Sequence, residues 1–166
     1  MARQLWVLRH AEAEPHGTRP DSERRLTERG ERQARTAGSA LALLDPAFEA
    51  VLFSPKARAR QTAELAAEQW EPARRELLRE HDALAAGFDG AQALDALAGL
   101  GADARLLVVG HEPDLSGTVA DLTGGRIDLK KGGLAVVRLE GVGGELAVLM
   151  RPRELSLIAG VPGDGD

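Results

Sequence analysis

Apolar positions along the chain gather in short runs separated by charged stretches. Residues 4–9 (QLWVLR) are apolar until a terminal charge and predict a buried strand. The charge-, Pro- and Gly-rich residues 10–26 that follow predict a loop. From Thr27 to about Leu44 the positions Ala34, Ala37, Leu41 and Leu44 fall at helical spacing, with Thr27 as N-cap and Asp45-Pro46 as the stop. Residues 49–53 predict a second buried strand. Ser54-Pro55 then opens a helix, Ser as N-cap and Pro at the first helical position, with Ala59, Ala63, Ala66 and Trp70 on its core face and Glu71-Pro72 as its end. A short strand over 76–79 and a helix from Gly90 to about Leu100, burying Leu94 and Leu97, come next. Residues 105–110 (RLLVVG) form a third clear buried strand, and HEPD leads into a helix lined by Leu115, Val119 and Leu122, with Gly124 as C-cap. Strands over 134–139 and 145–150 flank 140–144, a hairpin signal, and residues 160–166 read as a frayed tail. Strands alternating with helices and then a hairpin predict a three-layer α/β/α fold with a mainly parallel central sheet, one domain over residues 1–159.

Composition narrows the class. The 166 residues carry 21 Lys+Arg and 26 Asp+Glu, a net charge of −5, which suits one acidic domain with one core. Aromatics are only 3% and Tyr is missing, so the core is built from Leu, Val and Ala. No apolar run approaches the roughly 18 to 20 residues that cross a bilayer, and the N-terminus reaches charge too early for a secretory signal, so a cytoplasmic protein without membrane partners is expected. Zero Cys excludes a disulfide scaffold, a thiol nucleophile and a thiolate metal site. The acidic balance argues against nucleic acid as a partner. Basic residues do cluster at Arg24-Arg25, Arg58-Ala59-Arg60 and Lys130-Lys131, where a solvated face is the ordinary interpretation.

Ligand sites in open α/β sheets form beyond the carboxyl ends of the strands. Three of the strands above end in chemically loaded residues: Arg9-His10, Ser54-Pro55-Lys56-Ala57-Arg58, and Gly110-His111. If these strands are parallel, one edge collects two imidazoles and two guanidiniums, the composition of an anion site. Arg forks match phosphoryl oxygens bidentately and neutralise charge in a loose phosphoryl-transfer transition state. Neutral imidazole has a lone pair that can accept a phosphoryl group covalently.

These residues resemble the histidine phosphatase (phosphoglycerate-mutase-like) superfamily. Its Arg-His-Gly mark is Arg9-His10-Ala11 here, with Ala in place of Gly. Its Ser-Pro-x-x-Arg-Ala-x-Gln-Thr mark is matched at every fixed position of residues 54–62, and its later Gly-His is Gly110-His111. The short length, the GHEPDL run and Leu129-Lys130-Lys131-Gly132 are most similar to the small phosphohistidine phosphatases of the SixA type. The resemblance implies that His10 is the nucleophile, that Arg9 and Arg58 bind phosphoryl oxygens, and that His111 contacts the transferring group opposite His10. It implies no metal and no cofactor. Glu80 occupies the region of the general acid of larger relatives, and a solvated Glu is the equal alternative. Between Trp70 and Leu94 no large insertion roofs the site, which favours a phosphohistidine side chain on a protein as substrate. A small phosphorylated metabolite, such as a nucleotide or sugar phosphate, is the alternative.

Two rivals belong to other classes. His10-Ala11-Glu12 matches the H-x-E of zinc deaminases, but their Cys pair is impossible here. A non-catalytic phosphate-binding module would keep the arginines, yet both histidines are also present. His16 and His81 read as surface or loop residues, Glu12 and Glu112 as solvated rim carboxylates, and Arg19, Arg24 and Arg25 as candidates for a basic rim.

Overall fold

A computed structural model describes residues 2–163. Six strands form one sheet: β1 (Arg3–Arg9), β2 (Ala50–Phe53), β3 (Leu78–Glu80), β4 (Arg105–Gly110), β5 (Leu134–Glu140) and β6 (Gly143–Met150). Their spatial order is β3-β2-β4-β1-β5-β6. The first four run parallel, β5 is antiparallel to β1, and the β5–β6 hairpin closes that edge. In register, Arg9 lies beside Gly110, Phe53 beside Val109 and Glu80 beside Phe53. The carboxyl ends of β1, β2, β3 and β4 therefore share one edge, as the three-layer expectation requires.

Strand alternation splits the core in two. Leu5, Val7, Leu106 and Val108 face α4 (Gly90–Ala98) and α5 (Asp114–Thr123). Leu8, Leu107 and Val109 face α1 (Glu28–Leu44), α2 (Ala57–Ala67) and α6 (Pro152–Ala159). Each such Leu or Val, fully removed from water, is stabilised by about 1.5–3 kcal/mol. Helix ends follow local chemistry. Thr27 Oγ1 accepts from the Gly30 N–H at 3.1 Å, and Asp45 closes α1 in the left-handed region at φ 48°. Leu44, although at helical spacing, is half-exposed, because it lies in the last turn beyond the reach of the sheet.

Several boundaries differ from the sequence expectation. Ser54 is not the N-cap of α2; Lys56 is, and Pro55 lies outside the helix. The Ser54 hydroxyl instead accepts from the Lys56 N–H at 3.2 Å in a local turn, so the helix starts two residues later. α2 ends at Ala67, and a separate turn, α3 (Pro72–Arg75), starts at the proline expected to terminate it. Trp70 is nonetheless buried, its Nε1–H donating to the Gly38 carbonyl at 3.0 Å. α6 was not foreseen; Pro152 sits in its first turn, and Glu154 with the Arg151 side chain caps it. Gly160, at φ 70°, ends α6, while residues 164–166 of the expected tail lie outside the described residues.

Two glycines of α1 are required by close approach. A Cβ on Gly30 would lie 1.9 Å from the Glu12 carbonyl oxygen, and one on Gly38 would lie 2.2 Å from that of Ala66. The first lets α1 press against the loop after β1; the second lets α1 and α2 cross in contact. Gly38→Ala should therefore lower unfolding free energy by about 2 kcal/mol through forced separation of the helices. Gly117→Ala, in α5 with nothing within 4 Å, should instead gain about 0.5–1 kcal/mol. Chemical denaturation of the two variants checks the contrast.

Candidate active site

The end of β1 is pinned from three sides. The His10 N–H continues the ladder to the Gly110 carbonyl at 3.0 Å, and the Arg9 N–H donates to Gly133 O at 3.1 Å. The Gly132 N–H is shared by the carbonyls of Arg9 and His10 at 3.1 and 3.0 Å. α2 supplies the third side. Thr62 Oγ1 accepts from the Ala11 N–H at 3.1 Å while donating to the Arg58 carbonyl at 2.7 Å, and Gln61 Oε1 accepts from the Leu26 N–H at 2.8 Å. The spacing of Arg58, Gln61 and Thr62 thus has a mechanical meaning. One turn of helix aims a guanidinium into the site and ties down the loop behind it. Ala11 does not have positive φ, so the Gly of the Arg-His-Gly mark is not needed for conformation here.

His10 and His111 meet at this edge with ring centroids 5.2 Å apart and planes tilted by 52°. Both, and Arg58, are only 5–6% exposed. His10 Nδ1 lies 2.8 Å from the Ala11 carbonyl oxygen. A carbonyl only accepts, so this nitrogen carries the proton and Nε2 is left with a lone pair. Burial, together with the charges of Arg58, Arg9 and Lys131, pushes the imidazole down to about 3, against the pull of the Ala11 carbonyl. His111 is likewise pushed to about 3, by burial first and then by His10, Arg58 and Lys56. Both rings are therefore neutral across the physiological range.

His111 Nε2 lies 2.7 Å from Ser54 Oγ. That hydroxyl also accepts from the Lys56 N–H, and its one proton and second lone pair serve either tautomer of His111. Nδ1 of His111, Nε of Arg9 and Nε of Arg58 are three buried nitrogens without a protein partner. The remaining guanidinium contacts are to Leu129 O, at 2.9 Å from Arg9 Nη1, and to Asp21 O, at 2.8 Å from Arg58 Nη1.

Asp21 was not among the residues singled out in the sequence. It lies in a single 3₁₀ turn, Asp21–Glu23, and its carboxylate pairs with Arg24 at 3.0 Å, Lys56 at 3.1 Å and Arg58 at 3.4 Å. Partial burial opposes its ionisation, but hydrogen bonds from Lys56 and Arg24 and the charge of Arg58 hold it well below the usual carboxylate range. The sequence signal was a lone acid in a loop that also holds Arg19, Arg24 and Arg25. Arg24 is not a rim residue: it is buried, locked onto Asp21 and the Glu14 carbonyl. Arg19 pairs with Glu14, and Arg25 is exposed.

Glu80 ends β3 on the same sheet edge but with β2 and β4 between it and β1, and its carboxylate is ion-paired with Arg60. Its ion pair is thus with α2 rather than with the imidazoles. Glu12 is bound by Thr27 and Arg29, and Glu112 accepts from the Ser116 N–H and hydroxyl at the start of α5. Neither is a freely solvated carboxylate. His16 is exposed, and the His81 ring packs edge-on to Phe88. Among the described residues no three His, Asp or Glu side chains gather into a metal-binding group, and no helix is long and apolar enough to cross a membrane.

A family model described as the histidine phosphatase superfamily, branch 1, matches residues 5–86, which include Arg9, His10 and the whole 54–62 motif. The chain belongs to the histidine phosphatase superfamily. Membership implies a phosphatase. An uncharacterized protein of Picosynechococcus sp. is 35% identical over 147 residues, 81% of this chain and 84% of that one. The structure of the protein histidine phosphatase SixA complexed with tungstate is similar at a TM-score of 0.78 and 28% identity, covering 92% of this chain and 99% of that one. A putative phosphohistidine phosphatase SixA from Nakamurella multipartitia has a TM-score of 0.74 at 29% identity, covering 92% and 97%. A putative alpha-ribazole-5'-P phosphatase from Escherichia coli, at 20% identity and a TM-score of 0.73, shares the fold.

The two neutral imidazoles make stability depend on pH. Their folded-state values near 3 lie below the unfolded value of 6.5. Below pH 6.5 the unfolded chain binds protons that the folded chain refuses, so stability is full above about 6.5 and is lost as pH falls. Between pH 7 and 5 the wild type should lose on the order of 1–2 kcal/mol per ring more than a His10→Gln/His111→Gln variant, measured by urea unfolding. Ser54→Ala removes the partner of His111 Nε2 and should slow turnover about tenfold with little change in KM, since it frees the His111 ring without touching substrate.

Proposed function

We propose that the protein is a phosphatase that works through a phosphohistidine intermediate on His10 and acts on phosphohistidine in a protein substrate. The observation that carries it is the 2.8 Å contact between His10 Nδ1 and the Ala11 carbonyl, which leaves Nε2 as a lone pair beside buried guanidiniums. Nε2 attacks phosphorus, the bond from phosphorus to the substrate imidazole breaks, and the leaving ring takes a proton from solvent. Water then attacks the phosphorylated His10, the phosphorus–Nε2 bond breaks, and inorganic phosphate leaves. Arg9 and Arg58 hold the phosphoryl oxygens, and His111 contacts the same group opposite His10. No step needs a metal ion. An imidazole leaving group is readily protonated by water, so the engagement of Glu80 by Arg60 does not obstruct the chemistry.

Two observations favour a protein-borne substrate. Between β3 and α4 only residues 81–89 intervene, with a single 3₁₀ turn at Asp82–Ala85, so no inserted segment roofs the mouth. At the same coverage of about nine-tenths of the chain, the SixA structures are 28 and 29% identical against 20% for the ribazole-phosphate phosphatase.

Incubation with a phosphohistidine-bearing protein labelled with ³²P should give an acid-labile, alkali-stable phosphoenzyme that is missing in His10→Ala. Arg58→Ala should lower kcat/KM by about 10²–10³, the scale for losing a preorganised donor to developing charge. Rates should be equal with and without EDTA. Much faster turnover of nucleotide or sugar phosphates than of the phosphoprotein would assign the site to a small metabolite instead. Phosphate binding without phosphoenzyme or turnover would leave only a binding module.

A further inference from the structure

We propose that a basic trough leading away from the catalytic mouth along α1 and α6 is the docking groove for an acidic segment of the protein substrate. It rests on the phosphoprotein reading above and specifies the partner's chemistry. Two clefts make the trough. The inner one, about 380 Å³, begins at Arg9 and is walled by Arg29, Lys130 and Lys131. The outer one, about 720 Å³, is walled by Arg32, Arg35 and Arg153. Gln33 and Pro152 line both, so the two are continuous.

Charge is the deciding feature. Among the described residues seven of the lining side chains are cationic and Glu12 alone is acidic, in a chain whose net charge is −5. Glu12 is already bound to Arg29 and Thr27. Lys130 and Arg35 have surface partners in Asp128 and in Glu31 and Glu68, but no carboxylate among the described residues pairs with Lys131 or Arg153. A second basic cleft, on the Arg19 and Arg60 side of the mouth, carries a smaller excess of charge: three cations, Arg19, Arg25 and Arg60, beside the acidic Glu23. There Arg19 is neutralised by Glu14 and Arg60 by Glu80.

Length and polarity identify the occupant. From Arg29 to Thr36 the trough follows about 10 Å of α1, room for roughly three extended residues beyond the phosphorylated one. A small phosphorylated metabolite would use only the Arg9 end. The outer cleft also presents Pro152, Val161 and Pro162, so apolar side chains interleaved with Asp or Glu fit it. No Phe or Trp lines either cleft, which removes the stacking platform that single-stranded nucleic acid uses.

The test uses two phosphohistidine peptides, one with Asp and Glu flanking the phosphorylated residue and one with Asn and Gln instead, and free phosphohistidine as a third substrate. The wild type should turn over the acidic peptide about tenfold more efficiently than the neutral one at low salt, and the gap should close as ionic strength rises to about 0.5 M. Arg35→Glu/Arg153→Glu should erase the gap while leaving the neutral peptide and free phosphohistidine unchanged. Binding of the unphosphorylated acidic peptide, followed by fluorescence anisotropy, reads docking without chemistry and should weaken about tenfold in the same variant. Equal rates for the two peptides, equal slowing of all three substrates, or unchanged anisotropy would overturn the docking proposal. So would an RNA oligonucleotide displacing the peptide at lower concentration than the peptide itself binds. If anisotropy behaves as expected but no phosphohistidine substrate turns over, docking stands and the phosphohistidine assignment falls.

Discussion

The bond from the His10 ring to the carbonyl of its neighbour Ala11 orders everything else in the site. It selects the tautomer, leaves the other ring nitrogen with a lone pair, and is possible only if the backbone after β1 turns in one particular way. That turn is over-determined. Thr62 holds the Ala11 N–H, Gln33 holds the Glu12 N–H at 3.0 Å, Gln61 holds the Leu26 N–H, and α1 presses against Glu12 through the bare Cα of Gly30. Helices α1 and α2 are in this sense the frame of the proposed nucleophile, and their own contact at Gly38 keeps the frame closed.

Electrostatics around this frame divides into two circuits. Toward the mouth, two imidazoles stay neutral because an added proton would be buried among guanidiniums. Behind it, Asp21 joins Arg24, Lys56 and Arg58 and offsets part of the cost of burying so much positive charge. Arg58 is therefore held through its Nη atoms by the loop carboxylate and backbone, while its Nε keeps a donor for the site. In the proposed mechanism an incoming phosphoryl group meets donors whose orientation is set in advance, so little reorganisation accompanies charge development.

The surroundings of the mouth carry the differences among relatives of this fold. Phosphohistidine phosphatases and a putative ribazole-phosphate phosphatase share the same sheet and helices at comparable TM-scores. Selectivity must then reside in what extends beyond the phosphoryl group: the short connection after β3, and the charged clefts on either side. The asymmetry of those clefts, the one along α1 and α6 carrying the larger excess of cations, is a property of tertiary placement in a chain whose overall balance is acidic.

Much of this was legible in the order of residues. Apolar runs at 4–9, 49–53 and 105–110 were long enough to be buried strands and too short for helices, and Thr27, Asp45 and Gly124 marked helix ends through local bonding that depends on few neighbours. Arg9-His10, Arg58 and Gly110-His111 could be assigned to one edge because parallel strands must align their carboxyl ends. What depends on distant partners was not legible. Ser54 has the chemistry of an N-cap, and only the fold shows that its hydroxyl serves His111, 57 residues away. Arg24 looks like a surface cation until Asp21 closes over it. Glu80 has no strong local preference, and its pairing with Arg60 follows from the lateral position of an edge strand. Short-range periodicity and capping are encoded within a few residues and can be read in line. Side-chain partnerships across the sheet edge arise only when separate segments are brought together, and those the folded chain alone decided.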